Sequence, residues 1–179
     1  MESIILETER LLIRPFTMED AEDALAFCAN PETVKNTGDI IRTTVAEVED
    51  VIANVWLSDY AKYGHGRFAI VHKADNKIIG FNGLKYLPYA GGSDIGYRLL
   101  PEYFGKGIAT ESSLKILEYA FNIRGLDRVL GFVLQDNPSS SNVLKKIGFR
   151  LLKIAPYPDE KDDIDVEWYD ITKEMYEGQ

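Results

Sequence analysis

Apolar and polar residues along this chain follow two spacings, one typical of strands and the other typical of helices. The segment 8–16 is rich in apolar residues and predicts a first strand that ends near Pro15. Segments 17–30 and 43–64 predict two helices, because Thr17 is a good capping residue and the later segment has helical spacing. The apolar residues with that spacing are Val45, Val48, Val51, Ile52 and Val55.

Three strand-like runs occupy the middle of the chain, at 67–73, 77–88 and 94–103. Short turn sequences, ADN and YAGGS, separate them, so the runs predict antiparallel hairpins. An amphipathic segment at 107–125 then predicts a helix, and 127–135 predicts a buried strand. Because a helix joins two neighbouring strands here, we expect one locally parallel pair inside a mixed sheet.

The C-terminal part begins with a short predicted helix at 137–149. Asn137 is its expected N-cap, and Pro138 suits the first helical position. Strands at 150–157 and 165–174 complete the pattern. The prediction is therefore an α/β protein of the mixed α+β type, with about seven strands and about four helices.

Composition limits the class of protein. The chain has 179 residues and is 45% apolar, which suits a single domain spanning 1–179 with a sizeable core. Its net charge of -9 makes nucleic acid a poor partner and favours a cationic one. There is no apolar run of about 18 residues and no signal-peptide pattern at the start, so we expect a cytoplasmic protein away from membranes.

Metal and disulfide chemistry have few residues to use. Cys28 is the single cysteine, so an intrachain disulfide is impossible. His65 and His72 are the two histidines, and a metal centre would need both together with carboxylates. We expect no metal.

The stretch PEYFGKGIATES places Gly105, Lys106 and Gly107 directly before a helix. The unpaired amides and dipole of a helix start attract anions, so this stretch is a candidate diphosphate cradle. An ordinary glycine-rich turn is the alternative. The nucleotide motif G-x-x-x-x-G-K-[ST] is absent, and Thr110 interrupts the dinucleotide pattern G-x-G-x-x-G. That pattern also belongs after the first strand, which counts against a nicotinamide or flavin enzyme.

Two spaced motifs together resemble a known family. IGYRLLPEYFGKGIATES at 95–112, followed by NPSSSNVLKKIGFR at 137–150, is similar to the acetyl-CoA-binding core of the GNAT acyltransferases. TERLLIRPFTMED at 8–20 resembles the branch that includes ribosomal-protein N-terminal acetyltransferases. The resemblance covers the chain from Thr8 to about Lys173, and it implies the GNAT fold. Glu102 departs from the arginine or glutamine that usually opens the family's loop signature.

The resemblance implies direct transfer of an acetyl group from acetyl-CoA, as co-substrate, to a primary amine. It also implies contacts to acetyl-CoA from backbone and side-chain groups of eleven residues, which are Leu99, Leu100, Gly105, Lys106, Gly107, Ile108, Ala109, Thr110, Asn137, Ser140 and Asn142. For the leucines, core packing is an equally available role. For Asn137, helix capping is an equally available role.

Three residues are candidates for the chemistry. Asp94 lies where relatives often carry a carboxylate, and there it would accept the amine proton. The alternative is that Asp94 is an ordinary strand-end residue. Ser140 lies where this branch usually has a serine near the CoA sulfur, and otherwise it is a first-turn helix residue. Tyr97 would orient substrate or simply pack on the sheet. Leu144 replaces the tyrosine acid of many other superfamily members.

The sequence does not distinguish between two kinds of acceptor, a small-molecule amine and a protein or peptide N-terminus. An acidic run, Asp159, Glu160, Asp162 and Asp163, is a solvated turn or a surface that attracts a cationic acceptor. A non-catalytic acetyl-CoA-binding sensor or interaction module is the alternative function. The protein is expected to be a monomer or a homodimer.

Overall fold

The computed structural model describes residues 4–158 and 164–178, and these residues build one sheet with helices on both faces. The strands are β1 (Leu6–Glu7), β2 (Leu11–Pro15), β3 (Arg67–His72), β4 (Lys77–Leu87), β5 (Gly92–Leu99), β6 (Arg128–Leu134), β7 (Arg150–Pro156) and β8 (Asp165–Thr172). Their order across the sheet is β1-β2-β3-β4-β5-β6-β8-β7. Neighbouring strands are antiparallel except β5 and β6, which are parallel, and the expected mixed sheet is confirmed.

The helices lie mainly between β2 and β3 and on either side of β6. They are α1 (Ala21–Cys28), α2 (Pro31–Val34), α3 (Val45–Val51), α4 (Leu57–Tyr63), α5 (Ile108–Glu118), α6 (Pro138–Lys146) and α7 (Lys173–Glu177). A π-helical segment, Ile52–Trp56, joins α3 to α4, and a second one, Tyr119–Ile123, extends α5.

The predicted elements and the observed ones differ in a few places. The two-residue strand β1 takes the strand count from seven to eight, and α2 and α7 are short helices that the pattern did not indicate. Two capping predictions are confirmed. Thr17 forms a capping box ahead of α1, and Asn137 caps α6 by accepting a hydrogen bond from the Ser140 amide.

The predicted apolar face of the 43–64 helix is only partly correct. Val48 and Ile52 are fully buried, but Val45 and Val55 are 36% and 37% exposed. Instead of Val55, Trp56 is buried. The π-helical turn explains the shift, because its wider turn moves the buried face on by one residue relative to a regular α-helix.

Two adjacent residues of β4 show how the two faces of the sheet are covered. Phe81 packs edge-on against Phe27 of α1 and lies 5.8 Å from the ring of Trp56, so this face carries the α1–α4 layer. The next residue, Asn82, is fully buried on the other face. Its amide nitrogen donates to the hydroxyls of Ser112 and Ser113 in α5 at 2.8 Å each. Successive side chains of a strand point to opposite faces, so α5 covers the second face.

His65 is buried beside the start of β3 and is only 4% exposed. Its Nε2 lies 3.0 Å from the Ser93 hydroxyl, and its Nδ1 has no hydrogen-bond partner among the described residues. Burial lowers the pKa of His65 to about 4, and the positive charges of Arg124 and Arg67 act in the same direction. The folded protein therefore holds this imidazole neutral.

We expect His65 to make the fold sensitive to mild acid. Its folded pKa is below the ordinary value of 6.5, so its contribution is fully present above pH 6.5 and is lost as the pH falls toward 4. The loss should reach about 2–3 kcal/mol at the acid end. His65→Gln should flatten the urea-unfolding free energy against pH in this window relative to wild type. Equal slopes for wild type and His65→Gln would contradict the assignment.

Candidate active site

The two central parallel strands separate soon after they meet. Among the described residues, β5 and β6 pair at Ser93 with Val129 and at Asp94 with Leu130, although β5 continues to Leu99. The strands diverge beyond these pairs and leave a gap in the middle of the sheet. Backbone groups that face this gap have no ladder partner on that side, so they are available to a ligand.

The hydrogen bonds of β5 to β4 show which backbone groups face the gap. The Leu100 amide donates to the Ile79 carbonyl at 2.8 Å, so it is already used. Gly80 and Leu99 form the next pair in register. Because hydrogen-bonding direction alternates along an antiparallel pair, the Leu99 backbone groups point away from β4 and toward the gap. Of the two leucines predicted to contact a ligand, Leu99 therefore has the free amide.

The glycine loop closes one end of the gap. Gly105 and Gly107 have φ of +69° and +77°, a backbone conformation that glycine adopts without strain. Gly107 caps α5, so the first amides of that helix, from Ile108 onward, start at the loop. The Lys106 ammonium lies 5.4 Å from the Tyr103 ring centroid, and Lys106 does not line the cavity, so its contact with a ligand stays a prediction.

The loop is held by a residue that the sequence analysis did not single out. Arg10 donates to the Lys106 carbonyl at 2.9 Å. It also forms an ion pair with Glu111 of α5, with 2.7 Å from Nε to Oε2. Glu111 accepts a further hydrogen bond from the Thr8 hydroxyl at 2.6 Å. The start of the chain thus ties down the loop and the first turn of α5, and it helps to set the shape of the site.

A cavity of about 1170 Å³ runs through the gap, and residues from both faces of the sheet line it. Most of the predicted site residues line it, namely Asp94, Tyr97, Leu99, Gly105, Gly107, Ile108, Ala109, Thr110, Asn137 and Ser140. Leu100, Lys106 and Asn142 do not line it, and Asn142 is exposed on the outer side of α6. The fold therefore assembles most of the predicted residues around one space.

On the α5 face of the sheet, α6 brings a serine to the gap. The Asn137 amide group donates to the Ser140 hydroxyl at 3.1 Å, and its oxygen accepts from the Ser140 amide at 3.3 Å. The Tyr97 hydroxyl donates to the Ser140 carbonyl at 3.5 Å. Burial raises the pKa of Tyr97, so the phenol stays protonated. These contacts fix Ser140 at the edge of the cavity.

On the opposite face, Asp94 is held by an arginine. Arg67 Nη2 lies 3.3 Å from Asp94 Oδ1, and both side chains are 12% exposed. Arg67 Nη1 also donates to the Gly83 and Gly96 carbonyls. Gly83 and Gly96 are paired across β4 and β5, and a Cβ on Gly96 would stand 2.5 Å from Arg67 Nη2. The guanidinium therefore lies in space that only a glycine leaves free.

A second carboxylate lines the same side of the cavity. Asp59 of α4 has a buried Oδ2 with no hydrogen-bond partner among the described residues. Burial raises the pKa of Asp59 above its ordinary value, while the charges of Lys85 and Arg67 oppose that shift. Sequence analysis missed Asp59 and Arg67, because each has the pattern of a solvent-facing residue in its element.

Several other expectations concern absences. Within 4–158 and 164–178, no group of three or more His, Cys, Asp or Glu residues is placed to hold a metal ion. Cys28 is buried, which raises the pKa of its thiol to about 11. No helix in the described part of the chain is long and apolar enough to cross a membrane. The acidic run at 159–163 lies outside the described residues.

Comparisons with known proteins agree with this geometry. The family model for the acetyltransferase (GNAT) domain matches residues 10–150. An uncharacterized N-acetyltransferase, p20 of Bacillus licheniformis, is 31% identical over 97% of this chain and 98% of its own length. The chain therefore belongs to the GNAT acetyltransferase family, and the resemblance seen in the sequence is confirmed.

Solved structures share the fold at lower identity. Ribosomal-protein-S5-alanine acetyltransferase of Vibrio fischeri superposes with a TM-score of 0.77 and 20% identity, over 95% of this chain and 97% of that one. Spermidine N-acetyltransferase of Vibrio cholerae, in complex with CoA and spermine, superposes with a TM-score of 0.77 and 19% identity. The match covers 94% of this chain and 99% of that one. At this identity the likeness supports the fold alone.

The space left by Gly96 gives a direct test of the Arg67–Asp94 arrangement. Gly96→Ala should displace the guanidinium and lower the free energy of unfolding by about 1–3 kcal/mol. Gly92→Ala is the matched control on the same strand, because a Cβ there meets its nearest neighbour, a Leu130 methyl, at 3.4 Å. Urea unfolding of both variants measures the difference. A Gly96→Ala variant as stable as Gly92→Ala would show that Arg67 is not confined.

Proposed function

We propose that the protein transfers an acetyl group from acetyl-CoA to a primary amine by direct attack within a ternary complex. The gap between β5 and β6, which ends at the glycine loop and the start of α5, is the observation that carries this proposal. A thioester with a long polar arm and a diphosphate suits a slot with free backbone groups along one side and helix amides at its end.

The acetyl-CoA contacts follow the shape of the slot. The Leu99 backbone would bond the pantetheine arm and, through its amide, polarise the thioester carbonyl. The amides from Gly105 to Thr110 would hold the diphosphate. Asn137 and Ser140 would border the arm from α6. Lys106 and Asn142 contribute through the backbone or not at all, since neither lines the cavity. The Leu100 amide and carbonyl are already paired with Ile79 and Tyr103, so Leu100 has a packing role.

The chemistry needs one bond formed and one broken. The amine nitrogen attacks the thioester carbonyl carbon, the carbon–sulfur bond breaks, the amine loses a proton, and the thiolate gains one. Asp94 lies on the α1–α4 face and Ser140 on the α5 face, so a carbonyl in the gap would have one on each side. In this proposal Asp94 takes the amine proton directly or through water, and Ser140 protonates the sulfur. Tyr97 positions Ser140.

The proposal names only the chemical class of the acceptor. The two structural neighbours differ in what their names say they acetylate, a ribosomal protein in one case and spermidine in the other. Both acceptors are amines, which supports an amine here without choosing between a small molecule and a protein N-terminus. Cytoplasmic location and assembly as a monomer or homodimer stay predictions.

The test is release of free CoA from acetyl-CoA with a panel of polyamines, amino acids, aminoglycosides and peptides beginning with Ala or Ser. Transfer to one class, with the acetylated amine identified by mass, is expected. If no amine reacts while acetyl-CoA still raises the melting temperature, the acetyl-CoA sensor becomes the better account. If acetyl-CoA causes no thermal shift, the proposed slot is wrong.

A methyl group in the glycine loop should weaken acetyl-CoA binding specifically. Gly105 and Gly125 both have positive φ, and an added Cβ would meet open space at either position, so alanine strains either backbone to a similar degree. At Gly105 the methyl would also stand where the diphosphate approaches, and the Kd for acetyl-CoA should rise about tenfold. Gly125→Ala, at the far end of the same helix, should change it less than about twofold. Isothermal titration distinguishes the two results.

Removing the proposed base and acid should affect turnover more than binding. Asp94→Asn should lower kcat about 100-fold or more, and Ser140→Ala about tenfold, with the Kd for acetyl-CoA within about threefold of wild type. Asp23→Asn and Ser58→Ala, which are exposed and outside the cavity, serve as controls. Unchanged kcat in Asp94→Asn would remove Asp94 from the mechanism and leave Asp59 as the candidate base.

A further inference from the structure

The α1–α4 side of the cavity has a charge balance opposite to that of the whole chain. The chain carries a net charge of -9. This side of the cavity, in contrast, has four carboxylates against five cationic side chains, which are Lys35, Arg42, Arg67, Lys85 and Arg98. A polycationic acceptor would have little to gain in such a site. An acceptor with a negative group would be favoured.

Arg98 is the most buried of these cations, with a side chain only 5% exposed. It lies on β5 directly before Leu99, on the same face as Asp94, and its guanidinium carbon is 5.2 Å from the Phe81 ring centroid. The Nε of Arg98 is buried and has no hydrogen-bond partner among the described residues. The Cys28 thiol also interacts with the Arg98 side chain, and the oxygen acceptors of this guanidinium lie at Nη2. A guanidinium has five N–H donors, so Arg98 has the capacity to bind a further acceptor group in the cavity.

The carboxylate that pairs with Arg98 is shared with a second arginine. Arg98 Nη2 donates to Asp39 Oδ2 and to the Thr37 hydroxyl, both at 3.1 Å. Asp39 Oδ1 also accepts from Arg42 Nη1 at 2.6 Å. Two guanidiniums thus share one carboxylate, which leaves one positive charge uncompensated in this cluster. Burial favours the protonated form of Asp39, but bonds from Arg42 and the Ile40 amide and the charge of Arg98 outweigh it and lower the pKa.

We infer that Arg98, supported by Arg42, binds a carboxylate of the acceptor, and that the acceptor is a free amino acid. The inference rests on the proposed function and narrows its acceptor. A planar guanidinium matches a carboxylate in geometry as well as charge. Because Arg98 is the neighbour of Leu99, whose amide faces the gap, a carboxylate held there keeps the amine of the same small molecule near the reacting carbonyl. Asp94 lies on the same face four residues earlier, about 13 Å along β5, so in this arrangement it would receive the proton through water.

The first arm of the test uses wild-type protein and pairs of amines that differ in one group. Each amino acid is compared with its carboxamide, at equal concentrations of the unprotonated amine, in the CoA-release assay. We expect kcat/KM for the amino acid to exceed that for the carboxamide about 30-fold or more. Equal values, or preference for carboxamides, polyamines or peptides, would overturn the inference while leaving acetyl transfer intact.

The second arm uses Arg98→Met, which keeps much of the side-chain length and removes the charge. We expect KM for the amino acid to rise about 30-fold and KM for the carboxamide to stay within about threefold. Arg128→Met is the control for losing an ion-paired arginine, because Arg128 pairs with Asp170 and does not line the cavity. If Arg98→Met does not fold, Arg98→Lys should raise the amino acid KM about tenfold, since lysine lacks the planar pair of donors.

If no amine is acetylated, ligand binding is measured in place of turnover. Titration of the amino acids and carboxamides into protein saturated with CoA then decides between the outcomes. If an amino acid binds only when it has its carboxylate, and if Arg98→Met abolishes that binding, the carboxylate subsite is supported. Only the proposal of acetyl transfer is then overturned. Absence of binding, or binding that ignores the carboxylate, would overturn the subsite.

Discussion

β5 and β6 share two residue pairs and then separate, and the rest of the site depends on that separation. A sheet normally satisfies the backbone groups of an inner strand on both sides. Here the second half of β5 keeps its ladder with β4 and faces open space on the other side. Layers cover both faces of β4 beside it, with α5 bonded to Asn82 on one face and the α1–α4 layer packed on Phe81 on the other. The gap is therefore part of the fold itself.

Contacts from several elements position the groups beside the gap. Tyr97 and Asn137 fix Ser140, and the pocket above Gly96 fixes Arg67, which in turn holds Asp94. Arg10 and Glu111 do the same for the glycine loop. Most of these contacts join residues far apart in the chain. A site of this kind is organised before any ligand binds, which limits the entropy lost on binding.

Sequence reasoning worked best where the signal was local. Glycines before a helix, an asparagine followed by proline, and alternating runs between short turns all predicted the correct elements. It failed where the signal depends on register. Gly96 carries no signal until β3, β4 and β5 are aligned, and only then does the space for the Arg67 guanidinium appear. The π-helical turn at Ile52–Trp56 likewise shifted a buried face in a way that regular helical spacing does not show.

The net charge of the chain and the charge of the cavity are different quantities, for a physical reason. Net charge sums over every residue, and most charged residues face solvent, where salt screens them within about 10 Å. The -9 of the whole chain therefore says little about a cavity lined by its own selection of side chains. Arg67 and Arg98 are both largely buried on strands of that cavity, where screening is weaker and each charge acts on a ligand directly. In the carboxylate subsite that we propose, the local arrangement of a few buried arginines would select the acceptor, even in an acidic protein.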